Sequence, residues 1–534
     1  MAQRGYSFIK GALLLTVAGL ISRVIGAAAR IVLPRVIGPE AVGLLQMVYP
    51  VYSIFLVISI SGLPVAISKL VSEQVALGNP REAKRIFHLA TALLFSAGLS
   101  LSALLYLAAP FIAQYIIKDS GTILPLRALS PAVFLLSFSA AYRGYFQGVQ
   151  EMRPSAAAQV IEQSARVAVM IFLAVLFMDR GVEWAATGAA FGTVAGATLT
   201  LLFLSGTYFV KGRSYLVEDG VFHRPSRKRL SSLAIMGRIY QLALPIVSGT
   251  LIFPISQSLD AVLVPRKLQH IGYSLEMARS LYGQLTGMAM ALVHFPCVLT
   301  IGLATALIPA VSESVAKKQF RVLKERISNS LWLSVAVGLP ASVGLVVLAK
   351  PIATFLFKIP EVAIPLRTAA FATVFIALSE TTIGILQGMG KVMVPVRYLF
   401  FGAVVKVILT YFLTGMPSLG IKGAAIATVV GLAIPALLNF KALYKYSGYL
   451  PDLIQLLIKP GLAAALMGVA VARTYPLLEI WSMYLFTQVN LAFTVSGGII
   501  VALVVYLLAM LAIGGVPPRF YHLLRASNGR ILRV

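Results

Sequence analysis

The sequence predicts an all-α polytopic membrane protein with about fourteen transmembrane helices. Of its 534 residues, 59% are hydrophobic and 12% are charged, and the mean hydropathy is +0.89. A soluble globular protein of this size does not have such a composition. The apolar residues form runs of about twenty, the length at which a helix crosses the hydrocarbon core of a bilayer. Because lipid offers the backbone no hydrogen-bond partner, we expect these runs to be helices.

In chain order, the apolar runs give predicted helices 1 to 14 at 8–29, 41–70, 87–109, 125–148, 156–178, 185–209, 239–263, 281–311, 328–349, 366–388, 397–414, 421–440, 459–477 and 486–513. Lysine and arginine are concentrated at both termini and in the loops after even-numbered helices, so the positive-inside rule predicts that both termini are cytoplasmic. The first run is interrupted by Arg23 and Arg30 and lacks a small-residue cleavage site, so we interpret it as a retained helix.

The two halves of the chain repeat at a shift of 240 residues, which predicts two six-helix lobes related by a pseudo-two-fold axis along the membrane normal. The repeated positions are Pro125-Leu126-Arg127 with Pro365-Leu366-Arg367, Gln147-Gly148 with Gln387-Gly388, Arg166-Val167 with Lys406-Val407, Gly62 with Gly302, and Ser72-Glu73 with Ser312-Glu313. The predicted domains are an N-terminal lobe at 1–210, a basic cytoplasmic linker at 211–238, a C-terminal lobe at 239–447, and two extra helices with a basic cytoplasmic tail at 448–534.

Several predicted helices carry charged residues, and such residues are expected to face a protein interior or a wet cavity, because charge in hydrocarbon is costly. Arg23 and Arg30 are seven residues apart and so share one face of helix 1. We predict a cationic cavity in which arginine forks bind phosphate. Its substrate-binding candidates are Arg23, Arg30, Arg143, Arg166 and Lys406, and its polar or coupling candidates are Gln147, Glu162, Asp260 and Glu380.

Three motifs resemble the family of stage V sporulation protein B and its polysaccharide-exporter relatives. They are RGYFQG at Arg143–Gly148 followed by QVIEQ at Gln159–Gln163 and then an arginine, SGLPVAISKLVSE at Ser61–Glu73, and ISRVIG at Ile21–Gly26. That family belongs to the multidrug, oligosaccharidyl-lipid and polysaccharide exporter superfamily, which includes the lipid II flippase MurJ. The resemblance implies a role for Arg23, which matches the family's SR-x-x-G arginine, in a basic cluster on helix 1.

The resemblance further implies a flippase in the cytoplasmic membrane that moves a polyprenyl-pyrophosphate-linked saccharide outward by alternating access. The expected cargo is lipid II or a related wall or spore-cortex precursor. Helix 13 is rich in glycine and alanine and helix 14 is almost uniformly apolar, so simple packing is one interpretation of this pair. A groove for a long lipid tail is the other, by resemblance.

Two other functions remain open, a cation-coupled multidrug exporter of the same superfamily and a non-transporting scaffold for wall synthases. The net charge of +27 predicts contact with anionic lipid headgroups and gives little support to nucleic-acid binding. We expect no enzyme activity, cofactor or metal, since a Walker A loop is missing and the five histidines lack metal-ligand spacing. Cys297 is the only cysteine, so the chain forms no internal disulfide.

Overall fold

A computed structural model describes residues 2–211, 231–486 and 488–517, and within these ranges the chain is helical and contains no strand. The α-helices are α1 (Ala2–Ile60), α2 (Leu63–Ala76), α3 (Pro80–Phe111), α4 (Ile123–Gly148), α5 (Arg153–Leu176), α6 (Val182–Lys211), α7 (Ser232–Thr250), α8 (Ile252–His270), α9 (Leu275–Gly283), α10 (Met290–His294), α11 (Cys297–Ala316), α12 (Phe320–Val347), α13 (Ala349–Phe357), α14 (Ala363–Ala369), α15 (Ala372–Gly388), α16 (Met393–Thr414), α17 (Ile421–Ser447), α18 (Lys459–Phe486) and α19 (Leu491–Ala512). Most of the predicted linker, residues 212–230, and the tail from residue 518 onward lie outside the described residues.

The described helices include 12 long and apolar enough to cross a membrane, or 13 if the bent pair α14–α15 is one span. The predicted count of fourteen is therefore not confirmed. The difference arises at α1 and α2, which together form one candidate span of 63 residues. At 1.5 Å per residue this segment is roughly three times as long as the hydrocarbon core is thick. Gly38 interrupts α1 with φ 76°, between predicted helices 1 and 2.

Contacts divide the chain into two compact units. The first contains the residues up to Gln269 together with Tyr273–Gly283, and the second contains His270–Gly272 and the residues from Gln284 onward. Helices α7 and α8 thus pack with the first unit, although the repeat assigns them to the second lobe. The predicted lobes rest on sequence repetition rather than on contacts, so their boundaries stay a prediction.

The backbone repeats at the same shift of 240 residues as the sequence. Lys118 and Lys358 both adopt left-handed conformations, with φ 61° and 60°. Gly78 and Lys318 do the same in the short loops after α2 and α11, with φ 72° and 55°. Because few non-glycine residues adopt positive φ, this recurrence indicates that the two halves have the same local fold.

Helices α5 and α6 are held together by glycines spaced four residues apart on α6. A Cβ on Gly192 would lie 2.5 Å from the carbonyl oxygen of Arg166, and one on Gly196 would lie 2.5 Å from that of Glu162. Glycine at these positions lets the two backbones approach closely, as is typical of membrane helices. This close approach of α6 occurs at Glu162 and Arg166, the two residues of α5 that are predicted to lie in the cavity.

The extra pair α18 and α19 belongs to the second unit. Gly468 of α18 packs against Val343 of α12, and the Nζ of Lys459 donates a hydrogen bond to the carbonyl of Gly514, just beyond α19, over 2.9 Å. Arg473 breaks the apolar pattern of α18. The pair is therefore not free of charge, and its role in packing or as a lipid-tail groove stays a prediction.

Candidate functional site

The charges at the centre of the predicted site form an ion cluster around Glu162. One guanidinium nitrogen of Arg143 on α4 lies 2.5 Å from its carboxylate, and one of Arg166, a turn further along α5, lies 2.7 Å away. The exposed side-chain fractions are 27% for Arg143, 28% for Arg166 and 15% for Glu162. One carboxylate thus binds two arginines, leaving the cluster with one net positive charge.

Tyrosines on the second part of α1 extend this cluster. Tyr52 is 4% exposed, and its hydroxyl is close enough to Arg166 and Glu162 to interact electrostatically. The hydroxyls of Tyr49 and Thr193 on α6 are 3.2 Å apart. Tyr49 also interacts electrostatically with Arg30. Polar groups therefore run through the first unit from Arg30 to the carboxylate of Glu162.

The first part of α1 packs its small residues on α5. The Ser22 hydroxyl donates to the carbonyl of Gln159 over 3.2 Å, and a Cβ on Gly26 would lie 2.9 Å from the amide nitrogen of Gln163. Arg23 and Arg30 are both exposed. Among the side chains that the structure describes, no ion pair or hydrogen bond involves Arg23 or Arg30. These two arginines keep their donors available.

The remaining predicted residues are distributed between the units. Gln147 is half-buried on α4, and Asp260 is 8% exposed on α8 in the first unit. Glu380 and Lys406 belong to the second unit, where the side chain of Lys406 packs on Gly431. The structure thus brings Arg143, Glu162 and Arg166 into contact and places Glu380 and Lys406 elsewhere.

The excess positive charge of the candidates lies in the first unit. This unit holds the four candidate arginines and the two carboxylates of Glu162 and Asp260, and so has two more positive than negative charges. In the second unit the positive charge of Lys406 equals the negative charge of Glu380, so its candidates have no net charge. An anionic ligand is therefore favoured by the first unit's candidates alone.

A second ion cluster lies in the first unit near the kink at Gly38. Arg279 on α9 donates to both carboxylate oxygens of Asp119, over 2.7 and 2.5 Å, and to Glu40 over 3.0 Å. The side chain of Asp119 is 1% exposed and that of Arg279 is 9% exposed. Burial opposes the charge of Arg279, but the hydrogen bonds and charges of Asp119 and Glu40 raise its pKa above the ordinary value. This bidentate pair joins the loop after α3 to α9.

Sequence reasoning missed this second cluster and the tyrosines. Asp119 and Arg279 are separated by 160 residues, and no local spacing relates them. Tyr49 and Tyr52 lie in the run MVYPVYS, but other spans also contain tyrosines, such as Tyr145 and Tyr506, so this run was not a distinctive signal. In the part of the chain that the structure describes, no group of three His, Cys, Asp or Glu residues could hold a metal.

Comparison with known proteins agrees with this architecture. The chain matches the family described as Polysaccharide biosynthesis protein over residues 8–315 and the family described as MatE over residues 285–412. It is 32% identical to stage V sporulation protein B of Bacillus subtilis (strain 168), over 81% of this chain and 83% of that protein. It is 26% identical to the lipid II flippase MurJ of the same organism, over 93% of this chain and 94% of that protein.

A solved structure of similar fold is the inward-facing conformation of a multidrug resistance MATE family transporter of the MOP superfamily. It aligns with a TM-score of 0.66 and 18% identity, covering 82% of this chain and 98% of the transporter. The chain therefore belongs to the polysaccharide biosynthesis protein family, in the branch of stage V sporulation protein B, and is a multi-pass membrane transporter of the multidrug, oligosaccharidyl-lipid and polysaccharide exporter superfamily.

Proposed function

We propose that this protein is a flippase for a polyprenyl-pyrophosphate-linked saccharide, with lipid II or a related wall or spore-cortex precursor as its cargo. The observation that carries the proposal is the contrast among the arginines of the first unit. Arg143 and Arg166 are bound to Glu162, at 2.5 and 2.7 Å. Arg23 and Arg30 are exposed on α1 and have no ion pair within the described ranges. An arginine without a counter-ion in a membrane span is favourable only when an anion or water can reach it.

In this proposal Arg23 and Arg30 bind the pyrophosphate, and Arg143 with Arg166 positions the wall of the site through Glu162. The planar guanidinium donates two parallel hydrogen bonds to a phosphate, whereas lysine offers a single charged centre. The pair on α1 therefore matches a diphosphate better than a single anion. Transport proceeds by alternating access without covalent chemistry by this chain.

The MATE-like fold leaves a cation-coupled drug exporter as the alternative, and the charge of the first unit opposes it. The two extra positive charges among the candidates disfavour a cationic cargo. The relative named lipid II flippase covers 93% of this chain, whereas the multidrug transporter structure covers 82%. We infer that α18 and α19 are a feature shared with the flippase, where they would contact the lipid tail of the cargo.

The decisive experiment is flipping of defined lipid-linked sugars in liposomes that contain the purified full-length protein. Arg23→Ala should abolish flipping nearly completely, and Arg23→Lys should impair it partially, because the charge is kept and the fork is lost. The matched control is Arg153→Ala, because the side chain of Arg153 is 85% exposed and its ion pair with Glu151 is long, at 3.9 Å. It should flip at the wild-type rate. All variants are compared at equal abundance and equal thermal stability.

Three results would contradict the proposal. Wild-type flipping by Arg23→Ala would remove the phosphate site from α1. A preference for cationic drugs over the lipid-linked sugar would favour the drug exporter. Absence of transport of either cargo by the stable wild-type protein would favour a scaffold that recruits wall synthases.

The proposed orientation places both termini in the cytoplasm, on the basis of the lysine and arginine distribution. Single cysteines in the loops at Asn79 and Asp179 should therefore react with a membrane-impermeant thiol reagent from opposite sides. The cysteine at Asp179 should be labelled from outside intact cells. The native Cys297 is 1% exposed, so background labelling should be low. Labelling of both loops from one side would reject this topology.

A further inference from the structure

Arg473 is an isolated cation on the exposed face of α18. The neighbours on this face are apolar, and their exposed fractions are 53% for Leu466, 63% for Val469, 57% for Leu477 and 51% for Ile480. Arg473 itself is exposed. Among residues 2–211, 231–486 and 488–517, none forms an ion pair or hydrogen bond with it. The face is thus a lipid-type surface with one charge at its centre.

Arg473 lies near the middle of a candidate membrane span, Ile454–Phe486. Lys459, at the start of the helix, is fourteen residues away, or roughly 21 Å at 1.5 Å per residue. Tyr484 near the other end is 88% exposed and Trp481 is 66% exposed, as expected for an aromatic belt at the interface. Trp481, the nearer of these two aromatics, is eight residues from Arg473, or roughly 12 Å. Both ends of the helix are therefore at least this far from Arg473.

A phospholipid headgroup does not fit this charge. The aromatic end of α18 is further from Arg473 than an arginine side chain extends, and the Cα–Cβ bond of a helical residue tilts toward the helix N-terminus, away from that end. The N-terminal end is further still. An unpaired arginine at such a depth is disfavoured by ~2.5–3.5 kcal/mol on the lenient insertion scale, so an anion within the membrane would stabilise it.

The backbone beside Arg473 is polar on the same face. Pro476 lies inside α18 and has no N–H to donate to the carbonyl of Ala472, which therefore loses its regular helical hydrogen bond. Both Ala472 and Pro476 are exposed. In hydrocarbon a freed carbonyl requires another donor. The surface around Arg473 thus presents both a cation and an acceptor.

A second copy of this chain does not supply the anion. Glu162 already binds two arginines, Asp260 is 8% exposed, and Glu380 has its own interaction. Glu479 lies six residues further along α18, which is roughly 9 Å from the depth of Arg473. In a parallel dimer, therefore, none of these described carboxylates that lie within spans meets Arg473 at its own depth.

We propose that the face of α18 around Arg473 binds a transmembrane helix of another membrane protein, one that carries an aspartate or glutamate near the bilayer midplane. The carboxylate pairs with the guanidinium, and a hydroxyl or amide donor next to it satisfies the carbonyl of Ala472. The apolar residues on either side of Arg473 pack along the rest of the partner helix. This inference does not depend on the identity of the transported cargo.

The test uses a synthetic leucine-rich transmembrane peptide with one central aspartate, and a matched peptide with leucine in its place. Energy transfer between labelled peptide and labelled full-length protein is measured in phosphatidylcholine vesicles. The aspartate peptide should bind wild-type protein at least about fivefold more tightly than the leucine peptide, as for an interhelical polar contact of 1–2 kcal/mol. Arg473→Leu should remove this difference, and Arg473→Lys should keep part of it.

A charge swap guards against indirect effects, because Arg473→Asp should bind a peptide with a central lysine and reject the aspartate peptide. Equal binding of the aspartate and leucine peptides by folded wild-type protein would overturn the proposal. Loss of anionic phospholipid binding in Arg473→Leu, with peptide binding unchanged, would assign the face to lipid instead. Energy transfer between copies that depends on Arg473 in the absence of peptide would assign it to self-association.

Discussion

The pair formed by Arg279 and Asp119 should be among the most important single interactions for the stability of the first unit. Arg279→Met removes the cation and leaves the carboxylate of Asp119, whose side chain is 1% exposed, buried without its partner. Breaking a buried pair in this way destabilises proteins by about 3–5 kcal/mol. We expect a loss near the lower limit, about 3 kcal/mol, because the N–H of Gly121 still donates to Asp119 over 3.0 Å.

The assay is equilibrium unfolding of the purified protein in detergent, followed by the loss of helical circular dichroism. Adding Asp119→Asn to Arg279→Met should restore most of the stability, because asparagine keeps the acceptor for Gly121 and removes the stranded charge. The control is Lys317→Met, which breaks the exposed pair with Glu313 at 2.6 Å and should cause no measurable loss. Wild-type stability in Arg279→Met, or no recovery in the double variant, would refute this reasoning.

The remaining predictions concern the Glu162 cluster and the junction of α1 with α2. Glu162→Gln should lower the free energy of unfolding by about 1–3 kcal/mol, because two arginines lose their charged partner. The control Glu151→Gln, in the loop before α5, should leave it unchanged. Equal stability of the two variants would contradict the ion cluster around Glu162. Gly62→Ala should destabilise the protein by at least 1–2 kcal/mol in the same assay, because Gly62 has φ 76° and a Cβ would lie 2.7 Å from the Cα of Ala243. Gly237→Ala, where a Cβ would meet nothing within 4 Å, is its control.

The sequence predicted the features that arise from regular spacing. The apolar runs located the helices, and the four-residue spacing of Glu162 and Arg166 placed them on one face, where the structure finds them 2.7 Å apart. The second charge partner, Arg143, could be expected from the short turn between α4 and α5. Arg143 is bound to Glu162, and its predicted role as a phosphate ligand stays a prediction.

Other features could not be predicted because they depend on how distant segments pack. Arg279 finds Glu40 across 239 residues of sequence, and no local pattern encodes that distance. The contacts of α7 and α8 with the first unit could not be predicted for the same reason, because a sequence repeat does not specify which helices pack together. Arg473 is visible in the sequence, but its exposure on a lipid-type face becomes apparent only when the neighbouring helices are in place.

Residues with a left-handed backbone conformation recur at equivalent positions in the two halves of the chain, so the residue in one half suggests a substitution in the other. Where the first copy has Gly78, the second has Lys318 with φ 55°, and where the second has Gly390, the first has Gln150 with φ 61°. In each pair one copy thus has glycine, which adopts this conformation without strain, and the other has a residue with a side chain. We therefore expect Lys318→Gly and Gln150→Gly to relieve backbone strain and to stabilise a transporter that must be purified from its membrane.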